Sequence, residues 1–270
     1  MLKLREGAKE IAMHIARYKI ADRTYHGILD GKSLKRLSGS LFDPPNPSGE
    51  VDQLDRARLL SPVDPPRIFG AGLNYISHIE EMKLKRPVAP LLFMKPPTAV
   101  IGPDEPIIYP RSDKELEVHF EGELVAVIGR RARRLSKSHA LNAVFGYTCG
   151  NDLSERVIQR IEMGMGHLLI GKAYDTFCPL GPVIATDLDP RDLLLETRVN
   201  SELRQSARTS DLLYSVADLV SYISQAVTLL PGDVIMTGTP FGIGPTKPGD
   251  SIDITIEGIG TLHNPVIAEA

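Results

Sequence analysis

Short apolar runs of four to eight residues, broken by polar, glycine-rich and proline-rich stretches, dominate this chain, and few of them repeat at the spacing of a helix. "HIARYKIADRTYHGILDGKSLKRL" (14–37) reads as β-rich runs punctuated by Asp-Arg-Thr and Asp-Gly turn signals, which predicts a small N-terminal sheet. From Leu41 to Pro66 the composition changes. "FDPPNPSG" and "SPVDPPR" concentrate prolines and predict a linker and a boundary near Asp64, with a small β-rich domain over 1–64 and a main domain over 65–270. Beyond it, "RIFGAGLNY", "LLFMKPPTAVIG", "ELVAVIG" and "AVFGYTCGND" are spaced like strands. Helical periodicity is local: "SKSHALNAV", where Ser136 or Ser138 is a candidate cap, "LSERVIQRIEMG", and "SVADLVSYISQAVTL", where Ser215 is one. The pattern predicts a β-dominated α+β fold. Without regular strand–helix alternation, it argues against a doubly wound sheet or a βα barrel.

Composition narrows the function classes. A chain of 270 residues can bury a core large enough to enclose a site. Its 31 Lys+Arg against 34 Asp+Glu give a net charge of −3, with no basic excess for nucleic acid, so a small soluble substrate is expected. The one basic cluster, "RRARR" (130–134), follows a strand and reads as a solvated turn. Cys149 and Cys178 lack metal-ligand spacing and are too few for a disulfide framework, so both are expected reduced. No apolar run approaches membrane-spanning length, and "MLKLREGAKEIAMHIARYKI" has no apolar leader segment, which predicts a cytoplasmic protein without a membrane partner.

The candidate chemistry centres on "HFEGELVAVIG" (119–129). On one continuous strand, Glu121 and Glu123 share a face with His119 beside them, while Phe120, Leu124, Val125 and Val127 supply apolar material. Two carboxylates so close repel unless one is protonated or a cation lies between them, and an oxygen-only site suits Mg2+, Mn2+ or Ca2+ rather than zinc. A solvated face is the competing reading, because Glu115 and Glu117 continue the same alternation. Asp152, where "GYTCGND" leaves an apolar strand and a Ser-initiated helical segment begins, is either a helix-entry residue or the third carboxylate of such a site.

Other stretches supply partners. Gly166, Gly171 and Lys172 mimic a phosphate-binding loop, but Ala173 lacks the required hydroxyl and the interior "HLLI" is too bulky; Lys172 is instead a cation for a cleft or an ordinary surface lysine. His78 and Glu81 share a face if "YISHIEEM" becomes helical, an arrangement that fixes the imidazole tautomer and strengthens it as a base. "TGTPFGIG" is a glycine-rich loop, in which backbone amides and the Thr239 hydroxyl can approach a small anion, or plain turn chemistry.

Taken in order, "GLNYISHIEEM", "LFMKPP", "HFEGELVAVIG", "GYTCGNDLSER", "GKAYDTFCPLGP", "VNSELRQ" and "LLPGDVIMTGTPFGIG" resemble the fumarylacetoacetate hydrolase family over about the last 200 residues. The resemblance implies a rolled, mixed β-sheet core with short helices, a small N-terminal domain, a homodimer and one Mg2+ or Mn2+ per site. It implies that Glu121, Glu123 and Asp152 hold the metal, and that His78 and Glu81 form a dyad on a lid. It also makes Lys172 an active-site cation, and Gln159 and Thr239 substrate contacts. The chain departs from the family pattern at His119, where Asp is frequent, at Val157, also often Asp, and at Ser201, where Gly usually follows Asn200. The implied reaction is hydrolysis of a carbon–carbon bond in a 2,4-diketo acid of acylpyruvate or fumarylpyruvate type. Related alternatives are isomerisation of a hydroxyheptadienedioate, and decarboxylation or tautomerisation of oxaloacetate. A non-catalytic metabolite-binding protein is the contrasting class, and it predicts the loss of a metal carboxylate.

Overall fold

The computed structural model describes residues 12–65 and 67–270; the stretch through Ile11, most of the segment read for a leader, lies outside the described residues. Among the described residues the chain forms three sheets with four short helices, matching the β-dominated expectation. The largest sheet has twelve strands. Its main path runs Pro47–Gln53, Ser33–Leu37, Arg23–Asp30, His14–Ile20, Cys178–Ala185, Val144–Asn151, Gly122–Ile128, Val234–Met236, Ile68–Gly72 and Leu91–Lys95. Every pairing along it is antiparallel except Val234–Met236 on Ile68–Gly72.

The N-terminal strands form an antiparallel meander that is continuous with the rest, because His14 pairs with Ala185 and Ile15 with Ile184. The proline-rich stretch contributes the edge strand Pro47–Gln53, an exposed position where a residue without an N–H is tolerated. A five-stranded sheet carries the hairpin Leu194–Val199/Glu202–Arg208, whose two turn residues, Asn200 (φ 51°) and Ser201 (φ 69°), both have positive φ. Glycine has no Cβ to oppose that conformation, so Ser201 accepts a local cost there.

Gly122–Ile128 is buried on both faces. Leu124, Ala126 and Ile128 enter one apolar cluster, and Val125 and Val127 enter a second. The helices are α1 (Ile76–Glu81), α2 (Lys137–Ala140), α3 (Arg156–Gly164) and α4 (Val216–Ala226). Ser215 caps α4 in a reciprocal box with Asp218, and Asp218 also binds Lys137 of α2. Ser136 stands at the start of α2, but its hydroxyl bonds Ser138 and His139 side chains rather than a helix amide. The basic run meets the other end of α4, where Arg133 donates to the carbonyls of Ser224 and Gln225. Among the described residues no helix is long and apolar enough to cross a membrane.

Candidate active site

The strand expected over 119–129 is broken at Glu121. Val118–Phe120 belongs to a small three-stranded sheet with Ser154–Glu155 and Gly244–Pro245, and Gly122–Ile128 begins anew in the large sheet. Gly122 makes the crossing possible: a Cβ there would lie 2.1 Å from Thr197 Oγ1, so a side chain cannot be accommodated. His119 Nε2 bonds Glu117 Oε1 at 2.8 Å, and Glu117 in turn binds Arg160, so the hydrogen-bond partner of this imidazole is Glu117 and neither of the clustered glutamates.

Glu121 and Glu123 nevertheless converge with Asp152. One carboxylate oxygen from each lies within 4.8 Å of the others, and all three residues are buried. Asp152 follows directly on the strand Val144–Asn151; its amide donates to Glu121 O at 2.9 Å, locking the two segments together. Glu115 and Glu117 take no part in the cluster, which settles the register that alternation left open.

Three cations face these acids. Lys172 Nζ donates to Glu121 Oε2 (2.9 Å) and Asp152 Oδ2 (2.5 Å), Lys95 Nζ to Asp152 Oδ1 (2.6 Å), and Arg156 Nη2 to Glu121 Oε1 (2.5 Å). Glu123 has no such partner; it accepts the Gly238 amide at 2.7 Å. The titration tendencies follow. Burial works against the charge on Glu121, but Lys172 and Arg156 outweigh it and hold the carboxyl below the usual range. Burial, reinforced by the negative charges of Asp152 and Glu121, pushes Glu123 well above it. For Lys172, desolvation is overcome by Asp152 and Glu121, which raise its affinity for the proton. Glu123 is thus the carboxylate of the three that no side-chain cation among the described residues meets directly. A hard dication among three carboxylate oxygens would meet it, so the residues fit a metal of the Mg2+, Mn2+ or Ca2+ type.

The sequence motifs around this cluster have concrete structural causes. Glu155, and not Ser154, caps α3, accepting the amides of Val157 and Ile158; Ser154 Oγ donates to Glu121 instead. A serine-started helix is therefore not what forms here, because the longer glutamate reaches the free amides while the hydroxyl is claimed by a buried acid. The segment that mimics a phosphate loop is folded around Glu162, whose carboxylate accepts the amides of Leu169, Ile170 and Gly171. Gly171 packs against the backbone of Gln159, at 2.9 Å from where its Cβ would be, and this close approach carries Lys172 into the site.

A cavity is lined by His78, Glu121, Glu123, Gln159, Lys172 and Thr239, among others; Asp152 and Glu81 are not in its lining but are tied to it through Lys172 and His78. In α1, His78 Nδ1 lies 2.8 Å from Glu81 Oε2, as the three-residue spacing predicts. Glu81 also accepts the Gly242 amide at 3.0 Å, and Ser77 Oγ accepts that of Phe241, so α1 is bonded to the glycine-rich loop. Gln159 Oε1 accepts from Arg156 Nη1, which leaves its amide NH2 for the cavity. The Thr239 hydroxyl donates to Gly122 O and accepts from Gln205, so it braces the strand break as well as lining the cavity. Lys95, Arg156, Glu155 and Glu162 carry functions that motif reading missed. The signal for Lys95 is in the alternation of Leu91–Lys95, which buries Phe93 and Lys95 on one face; a lysine there demands a charged partner.

Comparison with known proteins agrees with this geometry. A family model described as fumarylacetoacetate (FAA) hydrolase C-terminal matches residues 67–267, and one described as Rv2993c-like, N-terminal, matches 13–62. The crystal structure of a 2-hydroxyhepta-2,4-diene-1,7-dioate isomerase from Mycobacterium marinum superposes with a TM-score of 0.87 at 40% identity, covering 96% of this chain and 99% of that one. A maleylpyruvate hydrolase from Sphingobium sp. SYK-6, solved with manganese(II) and pyruvate, gives 0.79 at 30% identity over 96% and 100%. The oxaloacetate tautomerase YisK of Bacillus subtilis is 40% identical over 227 residues, 79% of this chain and 74% of that protein. The chain belongs to the fumarylacetoacetate hydrolase family, whose members named here are a hydrolase, an isomerase and a tautomerase.

Proposed function

We propose that this protein is a divalent-metal-dependent hydrolase that cleaves a carbon–carbon bond in a 2,4-diketo acid. The observation that carries the reading is the placement of one buried three-carboxylate cluster and one His–Glu dyad on the same cavity. Glu121, Glu123 and Asp152 would hold an Mg2+ or Mn2+ ion, which when bound supplies Lewis-acid stabilisation of an enolate. Lys172 adds a fixed positive charge on the same side, and the free amide NH2 of Gln159 orients the substrate carboxylate.

With Nδ1 held by Glu81, His78 keeps the proton on that nitrogen and presents Nε2 as the base. It removes a proton from water, and the resulting hydroxide adds to the distal carbonyl. Collapse of the tetrahedral adduct breaks the bond between that carbonyl and the adjacent methylene. The products are a carboxylic acid and the enolate of the 2-oxo acid, which then takes up a proton. Lys172 offsets the charge that develops on the enolate side.

A second reading has support in the similarity to an isomerase and to a tautomerase: the same dyad moves a proton between carbon and base without bond cleavage. A panel of acetylpyruvate, fumarylpyruvate, oxaloacetate and a hydroxyheptadienedioate with Mg2+, followed by enol absorbance and product analysis, separates the two. Hydrolytic products that vanish in Glu123→Gln support the first reading; retained activity in that variant sinks it. A homodimer is proposed as the working assembly, supported by the exposed apolar side chains of Ile161, Met165, Leu169 and Ile170 on α3 and the turn after it. Light scattering coupled to size exclusion tests it.

A further inference from the structure

The two sides of the cavity differ in chemistry. Every charged or polar group in the lining belongs to the carboxylate cluster and its cations, the His78 dyad, Gln159 or Thr239. The rest of the lining is apolar, with Leu73, Met82, Leu84, Leu91, Met163 and Leu168 among it, and is what remains to receive the far end of a substrate whose 2-oxo acid head is held at the acids. The two cations in the lining, Lys172 and Arg156, are both bonded to Glu121, on the acid side. The lid does carry Lys83, Lys85 and Arg86, but all three are exposed and none lines the cavity. A carboxylate at the far end of the substrate would therefore be desolvated against hydrocarbon, with no cation among the described lining residues beyond the two already bonded to Glu121, whereas an alkyl or aryl group would gain contact there.

Building on the 2-oxo acid reading above, we infer that the pocket selects acylpyruvates whose acyl group is apolar, and discriminates against substrates carrying a second, distal carboxylate. The lid side chains Met82 and Leu84, together with Leu168 behind α3, are the specificity-determining residues. Met82 and Leu84 directly follow α1, so the element that brings the base also brings the wall that reads the acyl group.

The test uses two inert ligands that share the chelating head and differ at the tail, 2-oxohexanoate and 2-oxoglutarate, titrated calorimetrically into the Mg2+-loaded protein. The expected result is binding of 2-oxohexanoate at least about 30-fold tighter, in keeping with the cost of burying an unpaired charge. The partly exposed Leu84 permits Leu84→Arg without loss of the core, and that variant is expected to bring the ratio to within about 3-fold by giving the distal carboxylate a partner. In turnover, acetylpyruvate is expected to exceed fumarylpyruvate in kcat/KM by a similar factor. Equal binding of the two ligands, or preference for 2-oxoglutarate, overturns this inference and leaves the 2-oxo acid reading standing. Failure of both to bind the metal-loaded protein overturns that reading, and the inference with it.

Discussion

Glu121 and His78 face one cavity, yet the chain secures them by different means. Glu121 sits where two sheets meet, 4% exposed, with its carboxylate oxygens shared among Lys172, Arg156 and Ser154. His78 rides on a six-residue helix whose attachment to the loop beside it is two hydrogen bonds, Gly242 N to Glu81 and Phe241 N to Ser77. The acid floor must keep repelling charges at fixed separation, and only a packed core with many partners resists that repulsion. In the proposed reaction the dyad meets water and substrate and lets product go, which a short element with few bonds permits.

The largest expected effect lies on the floor. Glu123→Gln keeps the shape and the bond from Gly238 but removes a carboxylate, and should abolish Mg2+ binding by calorimetry together with at least about 10³-fold of turnover, the scale of Lewis-acid charge stabilisation. Lys95→Met should destabilise the fold toward the lower end of about 3–5 kcal/mol in urea unfolding, because Asp152 keeps Lys172 but loses a buried partner. His78→Ala, by contrast, should leave Mg2+ affinity and the unfolding midpoint near wild type while lowering kcat by about 10²-fold, the contribution of a positioned base. If metal affinity falls with it, floor and lid are not separable. Gly242→Ala sharpens the point: φ is +100° there and a Cβ would stand 2.1 Å from Arg204 O, so the loop must shift and release Glu81. About 10-fold loss of kcat with unchanged metal affinity is expected. The smallest effect belongs to a third region. Ser215→Ala removes the cap of α4 and should cost about 1 kcal/mol of stability, with neither metal affinity nor kcat altered.

Features governed by near neighbours were legible in the sequence. The Ser215 cap is answered by Asp218 three residues on, His78 finds Glu81 at the same spacing, and the strand ending at Asn151 delivers Asp152. The three metal-site acids were identified through the family resemblance, since alternation gave Glu115 and Glu117 an equal claim. What stayed hidden depends on distant segments. Lys95 meets Asp152 across 57 residues, and the space that a side chain at position 122 would need is filled by Thr197, which is 75 residues on. Ser154 loses the cap of α3 to Glu155 because Glu121, 33 residues earlier, takes its hydroxyl. Each is a local preference overruled by a partner that sequence spacing does not reveal.

The loop from Thr237 to Gly242 bonds downward to Glu123 and Gly122 and upward to Glu81 and Ser77. Between α1 and the strand at Leu91, the side-chain hydrogen bond to the body among the described residues is Tyr214 Oη to Pro87 O. Substitutions in residues 82–90 can therefore remodel the outer wall of the cavity while the bonds that hold the carboxylate cluster and the His78–Glu81 pair stay in place, so the surface that meets a ligand and the frame behind it can vary separately.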